Sequence, residues 1–377
     1  MTLGDSLVIA FFYEDYSLYR SLGYSFEECA ELHHDETIKA IERSLTSNGY
    51  KVVSVGDIKQ LVKCLARGEH RNWDLAFSLS EGIHGSSRET QVLGLLEAYQ
   101  IPTVFSDAAT QCLSLDKAKT KMILEHFGIA TAPFIIIPAS QDVSGHAVLE
   151  LIDRSPYAGS LKEYPLFVKP ACEGSSKGIY SYSKINDTTE LIQAVKKLKA
   201  EYATQSLLLE KFLPGKEYTV SILGTGSSAC VFGTLLLDWE AGISKEGNVA
   251  EFKNTEKSAL DEGIYDFTLK NISIKDDPSH FVTSRDDTDL LATEKLALQA
   301  YRALECHDVG RVDIRWADGK PYVLEINPLP GMRPNFSSLT ATASHQEITH
   351  EMLIGEIIDS ALDRYPHLKA KCQPMLT

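Results

Sequence analysis

Four polar residues near the end of the chain have a spacing that suits metal and phosphate chemistry. One apolar run carries Arg311 and Asp313, and a second carries Glu325 and Asn327, with a polar turn between the runs. Side chains alternate between the two faces of a strand, so each pair shares a face. Two carboxylates and an amide are ligands that Mg²⁺ takes together with substrate phosphates, and a neighbouring arginine would stabilise developing oxyanion charge. The alternative is a surface hairpin with a cross-strand salt bridge.

The length of the turn decides whether these four side chains meet. Residues paired across two strands share a face, so the turn must contain an odd number of residues if both polar pairs are to point the same way. The sequence therefore predicts a turn such as residues 318–320, with Asp313 opposite Glu325. The same alternation places Leu324 on the opposite, apolar face. A turn with an even number of residues would separate the two polar pairs.

Two further segments have the composition of nucleotide-binding structures. An apolar run leads to Lys169 and into residues 170–178, where successive backbone N–H groups of a Gly- and Ser-rich stretch could cradle phosphate. The spacing does not match a Walker-type loop, and a flexible turn is the alternative. Another apolar run ends at Glu210, turns, and resumes at Glu217. A hinge there could hold a nucleoside, whereas a simple turn of an edge strand is the alternative.

The elements that would position these residues change in character along the chain. Residues 1–112 alternate short apolar runs with amphipathic segments, which predicts an open parallel α/β sheet. Later helices and hairpins lack that rhythm and predict an α+β region with antiparallel sheets. Residues 239–290 are polar and weakly periodic, which predicts a mobile lid or a disordered insertion. We divide the chain into three parts: residues 1–112, 113–206 and 207–377.

Composition and charge exclude several classes of protein. The 377 residues carry a net charge of −15, which argues against sequence-independent nucleic-acid binding and against docking on an anionic membrane. No run approaches the roughly 20 apolar residues of a membrane span, and no signal peptide is recognisable. Seven dispersed cysteines without a CxxC pair predict reduced thiols. We therefore expect a cytoplasmic protein with no nucleic-acid partner and no membrane partner.

Together these motifs resemble the D-alanine–D-alanine ligase-like family of the ATP-grasp superfamily. The resemblance implies an N-terminal parallel α/β domain followed by a two-lobed ATP-grasp fold. It also implies ATP and two Mg²⁺ ions, with Mn²⁺ as the alternative metal, and by analogy a homodimer. The matching segments follow the family's order along the chain: residues 74–85, 115–117, 167–170, 173–176, 210–220, 310–313, 324–327 and 330–332.

The resemblance also assigns roles to single residues around the nucleotide. It places Lys117 and Lys169 on the α- and β-phosphates, and Ser175 with Ser176 over the β- and γ-phosphates. Lys270 falls within residues 239–290, where the family has a γ-phosphate lysine on its lid; a solvated loop lysine is the alternative. The groups implied to hold the nucleoside are the side chains of Glu210 and Glu217 and the backbones of Lys211 and Leu213.

At the reacting end, the resemblance gives the same hairpin residues specific tasks. Asp313, Glu325 and Asn327 would coordinate the metal ions. Arg311 would bind the acyl phosphate and then the tetrahedral intermediate. These tasks are those of a ligase that activates a carboxylate with ATP and passes it to an amine.

The substrate end departs from the family pattern. The family's N-terminal Gly-Gly-x-Ser-x-Glu turn is absent, and its His-Gly turn reads Glu81-Gly82. Glu81 could bind a substrate ammonium group or cap the following helix. After the hairpin, Gly331, Arg333 and Ser338 are the substrate candidates, with Arg333 either a carboxylate clamp or one half of a local salt bridge.

These departures decide the expected function. We expect an ATP-dependent ligase that joins an amino acid or related carboxylate to an amine through an acyl phosphate, with substrates other than two D-alanines. A true D-alanine–D-alanine ligase with a divergent pocket is one alternative. A non-catalytic ATP-binding protein is an alternative from another class.

Overall fold

The computed structural model describes residues 6–141, 144–237, 279–282 and 287–372. Its first sheet is parallel, in the order β2-β1-β3, which confirms the predicted open α/β arrangement. Capping residues mark the helix ends, as one helix shows. One follows Asp57, whose carboxylate accepts from the Gln60 amide, and stops at Gly68 in the left-handed conformation. The elements are β1 (Val8–Phe12), α1 (Tyr16–Ser21), α2 (Asp35–Ser47), β2 (Lys51–Gly56), α3 (Ile58–Arg67), β3 (Leu75–Ser78) and α4 (Gln91–Ala98).

A second, antiparallel sheet forms the middle lobe, in the order β4-β7-β5-β6. Its apolar face packs on helices to form a core of its own, in which Val168 and Leu209 of the sheet and Val195 of a helix are fully buried. Because the last strand of this sheet ends at Lys211, we propose that the middle lobe extends to Lys211 and not to residue 206. The elements are α5 (Ala108–Leu115), α6 (Lys117–His126), β4 (Phe134–Ile137), α7 (Gly145–Asp153), α8 (Ala158–Leu161), β5 (Leu166–Pro170), β6 (Lys184–Ile185), α9 (Thr188–Glu201) and β7 (Leu207–Lys211).

A third, antiparallel sheet carries the predicted hairpin, in the order β10-β9-β8-β11-β12. Residues 212–216 connect it to the middle lobe, at the position where a hinge was predicted. Lys270 and most of the proposed lid lie outside the described residues. The elements are β8 (Glu217–Leu223), β9 (Cys230–Leu237), β10 (Ser279–Phe281), α10 (Thr288–Ala303), β11 (Val309–Ala317), β12 (Lys320–Asn327), α11 (Ser338–His345), α12 (His350–Arg364) and α13 (Pro366–Cys372).

The N-terminal sheet shares one apolar core with the C-terminal helices. Phe11 and Phe77 of the sheet are buried in the same cluster as Ile357 of α12 and Leu368 of α13. Hydrogen bonds add to this contact, since Arg364 Nη2 donates to the Thr103 carbonyl at 2.8 Å and the Phe105 amide donates to the buried Asp308 Oδ2 at 2.8 Å. The first and last parts of the chain therefore form one body, against which the middle lobe stands with a separate core.

Two composition-based expectations can be compared with this fold. In the part of the chain that the structure describes, no helix combines the length and apolarity needed to cross a bilayer. The described cysteine thiols are free, as their dispersed spacing predicted.

Candidate active site

The β11–β12 hairpin brings the four predicted polar residues together. Asp313 is paired with Glu325, and Arg311 with Asn327, so the predicted cross-strand pairing is confirmed. The predicted turn is wrong, however. Ala317 pairs with Lys320, which leaves a turn of only two residues.

A β-bulge reconciles the short turn with the shared polar face. Asp313 pairs with Glu325 but Ile314 pairs with Val323, so Leu324 is an extra residue in β12. The expectation that Leu324 faces the apolar core is therefore wrong. Its side chain packs instead with Leu213 and Tyr322, whereas Ile314 and Val323 fill the core beneath the sheet.

Asp313 is the centre of the polar face. Arg311 donates two hydrogen bonds to it, from Nε to Oδ1 at 3.0 Å and from Nη2 to Oδ2 at 2.9 Å. Thr219 Oγ1 donates at 2.5 Å and Asn327 Nδ2 at 3.2 Å. Burial alone would lower the pKa of Arg311, but the Asp313 carboxylate raises it. The arginine therefore stays charged, with its geometry fixed by a bidentate pair.

Lys117 connects this hairpin to the loop that follows β5. It is the first residue of α6, which Asp116 caps by accepting from two backbone amides. Its Nζ lies 3.2 Å from Glu325 Oε2 and donates to the Glu173 carbonyl at 2.5 Å. Burial would lower the pKa of Lys117, but the nearby Glu325 raises it overall. A buried ammonium group is thus held beside a candidate metal ligand.

Glu210 lies between two buried lysines. Its carboxylate is 2.7 Å from Lys121 Nζ and 2.7 Å from Lys169 Nζ. Burial would raise the pKa of Glu210, but the two ammonium groups lower it to about 2. Sequence reasoning gave Lys121 no role. The available signal was its position four residues after Lys117, which puts both lysines on one face of α6.

The other nucleoside candidates surround a small apolar surface. Leu213 packs with Ala132 and Leu324, between the middle lobe and the hairpin. The backbone amide of Lys211 already donates to the Pro133 carbonyl at 2.9 Å. A small apolar surface next to strand ends is where a purine base could be bound.

Glu217, the predicted ribose ligand, begins β8 on the same side of the hinge. Its carboxylate lies 3.3 Å from Arg315 Nη1, and both side chains are largely buried. The ion pair fixes the orientation of the Glu217 carboxylate. A role toward ribose stays a prediction.

Ser175 and Ser176 lie in the loop after β5 with φ angles of +49° and +59°. Left-handed backbone costs roughly 1–2 kcal/mol for each non-glycine residue, so the surrounding structure must hold it in place. The loop meets Lys117 through the Glu173 carbonyl. These serines are thereby placed on the same side of the molecule as Lys117 and the hairpin.

The predicted substrate residues have more varied surroundings. Arg333 forms an ion pair with Glu36 at 3.0 Å, so the salt-bridge alternative describes its state in this structure. A Cβ at Gly331 would lie 2.9 Å from Ser337 Oγ, so a larger residue there would require Ser337 to move. Ser338 is the first residue of α11, and roles for these three residues toward a substrate stay predictions.

Glu81 does not cap the following helix. The 3₁₀ turn Arg88–Thr90 precedes α4. Its N-cap residue is Ser87, and no side-chain hydrogen bond caps this turn. Instead, the Glu81 amide donates to Glu14 Oε2 at 3.0 Å. Burial, followed by the charge of Glu89, raises the pKa of Glu81 well above its ordinary value. Such a carboxyl group could take up a cationic group by losing its proton.

Glu14 is a buried carboxyl group beside Glu81, and it predicts a pH effect on stability. Burial raises its pKa to about 7, although hydrogen bonds from the Glu81 and Gly82 amides oppose the shift. The folded chain therefore holds this proton more tightly than the unfolded chain, and stability falls as pH rises from about 4.5 to about 7. We expect Glu14→Gln to abolish that loss, gaining about 3 kcal/mol on wild type at pH 8.

Urea unfolding at pH 4.5 and pH 8 would measure this effect. Glu356→Gln, an exposed position on α12, is the matched control and should show no pH-dependent difference. A Glu14→Gln gain that is the same at both pH values would contradict the prediction.

The hairpin fits a divalent cation by the chemistry of its donors. In the described part of the chain no three His, Cys, Asp or Glu side chains form a metal-binding group. Mg²⁺ does not require such a cage, because it is usually held by one or two carboxylates together with substrate phosphates. Asp313 and Glu325 supply two carboxylates, and the Asn327 amide adds a third ligand group.

Comparison with known proteins identifies the family. A family model described as D-ala D-ala ligase C-terminus matches residues 123–238 and 233–359. The D-alanine–D-alanine ligase of Alcanivorax borkumensis is 30% identical over 78% of this chain and 79% of its own length. The D-alanine–D-alanine ligase of Xanthomonas axonopodis pv. citri is 28% identical over 85% of this chain and 87% of its own length.

Solved structures share the fold. The D-alanine–D-alanine ligase of Bacillus anthracis complexed with ATP has a TM-score of 0.65 and 21% identity, covering 96% of this chain and 100% of that one. The enzyme of Coxiella burnetii has a TM-score of 0.62 and 18% identity, covering 97% and 98%. On the strength of the family model and these relatives, this chain belongs to the D-alanine–D-alanine ligase family of ATP-dependent carbon–nitrogen ligases.

Proposed function

We propose that this chain joins two molecules of D-alanine in an ATP-dependent reaction. The observation that carries the proposal is the polar face of the hairpin, which Arg311, Asp313, Glu325 and Asn327 share and on which Glu325 Oε2 lies 3.2 Å from Lys117 Nζ. The relatives named above favour D-alanine over the other substrates that the altered sequence at Glu81-Gly82 suggested. The sequence alone favoured substrates other than two D-alanines. The interpretation given there as an alternative, a D-alanine–D-alanine ligase with a divergent pocket, thus has the better support.

The reaction has two balanced steps. A carboxylate oxygen of the first D-alanine attacks the γ-phosphorus of ATP, the bond to the β-phosphate oxygen breaks, and ADP leaves. The amine of the second D-alanine then attacks the carbonyl carbon of the acyl phosphate, and inorganic phosphate leaves as the amide forms. The amine loses a proton in this step. The protein forms no covalent bond to a substrate in these steps. Its task is to position the substrates and to stabilise their charge.

The described residues suit that task. When bound, Mg²⁺ ions held by Asp313, Glu325 and Asn327 would neutralise phosphate charge. Lys117 and Lys169 would bind phosphate oxygens, and the backbone near Ser175 and Ser176 would cover them.

Arg311 has a different role, toward the acyl group. Asp313 fixes its guanidinium in one orientation, so the charge is already in place when oxyanion character develops. Two Mg²⁺ ions and the homodimer stay predictions by analogy with the family.

A product assay tests the proposed substrate. The purified protein would be incubated with ATP, Mg²⁺ and single amino acids or pairs, including D-alanine, L-alanine, D-serine and glycine. ADP release and dipeptide formation would both be measured. We expect D-alanine alone to give one dipeptide for each ADP. Rapid turnover of another pair, together with no dipeptide from D-alanine, would replace D-alanine as the substrate but keep the ligase chemistry.

A further inference from the structure

Four buried charged side chains join the N-terminal body to the loop after β5. We call Glu31, Arg88, Glu173 and Lys177 the inter-lobe charge cluster. Lys177 Nζ lies 2.7 Å from Glu31 and 2.9 Å from Glu173, while Arg88 Nη2 lies 3.0 Å from Glu31 and 3.4 Å from Glu173. None of the four side chains is more than 10% exposed. Two carboxylates and two cations thus pair with one another in a region shielded from water.

The cluster brackets the two serines in left-handed conformation. Glu173 and Lys177 lie directly before and after residues 174–176, and each is bound to a residue of the N-terminal body. Arg88 Nη1 also donates to the Cys172 carbonyl at 2.9 Å. The loop is therefore held by ion pairs at both of its ends, which explains how an unfavourable backbone conformation persists.

Gly174 gives a second and independent sign of this contact. A Cβ at this position would lie 2.2 Å from Glu31 Oε1, so only glycine lets the carboxylate approach the loop so closely. Another bond crosses the same boundary, since Tyr202 Oη donates to Glu27 Oε1 at 2.7 Å. Because the middle lobe has its own core, these polar contacts are an important part of what holds it against the N-terminal body.

We infer that Glu31, Arg88 and Lys177 are positioning residues that hold the Ser175–Ser176 loop closed over the nucleotide phosphates and keep water from the acyl phosphate. This inference rests on the proposed function, which places the phosphates beneath the loop. None of the three residues needs to touch a substrate. They act through the loop that does.

Lys177→Met tests the inference, because it keeps most of the side-chain volume and removes one cation from the cluster. We expect the KM for ATP to rise about 10-fold or more. We also expect more phosphate released for each dipeptide formed, as water reaches the acyl phosphate. Lys177→Arg should restore both values. Lys369→Met, which removes an exposed lysine paired with Asp363, is the control and should change neither.

Direct binding of a non-hydrolysable ATP analogue with Mg²⁺ separates this inference from the proposed function. Weaker binding by Lys177→Met supports the inference even if wild type makes no D-alanyl-D-alanine. Equal binding by both proteins, with an unchanged ratio of phosphate to dipeptide, would overturn it. If Lys177→Met does not fold, Glu31→Asp decides in the same assays, since it keeps the charge but shortens its reach: weaker binding supports the inference and unchanged binding overturns it.

Discussion

Asp313→Asn is expected to lower the kcat of dipeptide formation by about 1,000-fold or more, and to lower the melting temperature because the largely buried Arg311 loses its charge partner. The substitution preserves the size of the side chain, and an amide oxygen can still accept from Thr219, 2.5 Å away. It removes the negative charge that a metal ion requires. It also removes the bidentate acceptor of Arg311, so one change affects both the metal ligand and the orientation of the guanidinium.

Steady-state rates of ADP release would measure the loss, with thermal unfolding measured in parallel. Asp318→Asn is the matched control, because it makes the same change in the exposed turn of the same hairpin and should leave kcat unchanged. Wild-type rates of ADP release in Asp313→Asn would refute the assignment of the metal site. A wild-type protein that binds ATP but releases no ADP with any amino acid would instead favour a non-catalytic ATP-binding protein.

Lys169→Met is expected to raise the KM for ATP at least about 10-fold and to lower kcat about 100-fold. The lysine would lose its contact with phosphate, and Glu210 would lose one of its two cations. Breaking a buried ion pair usually costs about 3–5 kcal/mol. Since Lys121 still lies 2.7 Å from Glu210, we expect a smaller loss of stability, about 2 kcal/mol.

Lys121→Met distinguishes nucleotide binding from stability. Lys121 pairs with the same carboxylate but is only 1% exposed, so it has little access to a bound nucleotide. We expect both variants to lose similar free energy of unfolding in urea, and only Lys169→Met to lose most of its affinity for ATP. Equal losses of affinity would mean that Lys169 acts through Glu210 and not on the phosphate.

Local sequence patterns predicted much of this site because strand alternation is short-range. The positions of Arg311, Asp313, Glu325 and Asn327 on one face follow from period two within each strand. The alignment of the two strands could not be obtained so simply. Strict alternation in both strands requires a turn with an odd number of residues. The chain instead combines a turn of two residues with a bulge at Leu324. An extra residue inside a strand leaves no clear sign in the alternation when its side chain is itself apolar.

Long-range contacts were the part that the sequence could not supply. Glu31 and Lys177 are separated by 146 positions, and nothing in either local segment indicates their pairing. The same limit applies to Arg333, whose partner Glu36 belongs to α2. Family resemblance supplied roles for the nucleotide residues but not for Glu31, Arg88 and Lys177, because these three lie outside the segments that carry it.

The core shared by the first sheet and the last helices has a consequence for biosynthesis. Phe11 and Phe77 leave the ribosome well before Ile357 and Leu368, the residues that pack with them in this core. Asp74 also joins the first strand to the last described helix, since its carboxylate accepts hydrogen bonds from the Val8 amide and from Lys371 Nζ. Until α12 and α13 have been made, the nascent chain therefore exposes an apolar surface that these helices later cover. The nascent chain must stay soluble during that interval. Fragments that lack α12 and α13 should be prone to aggregate.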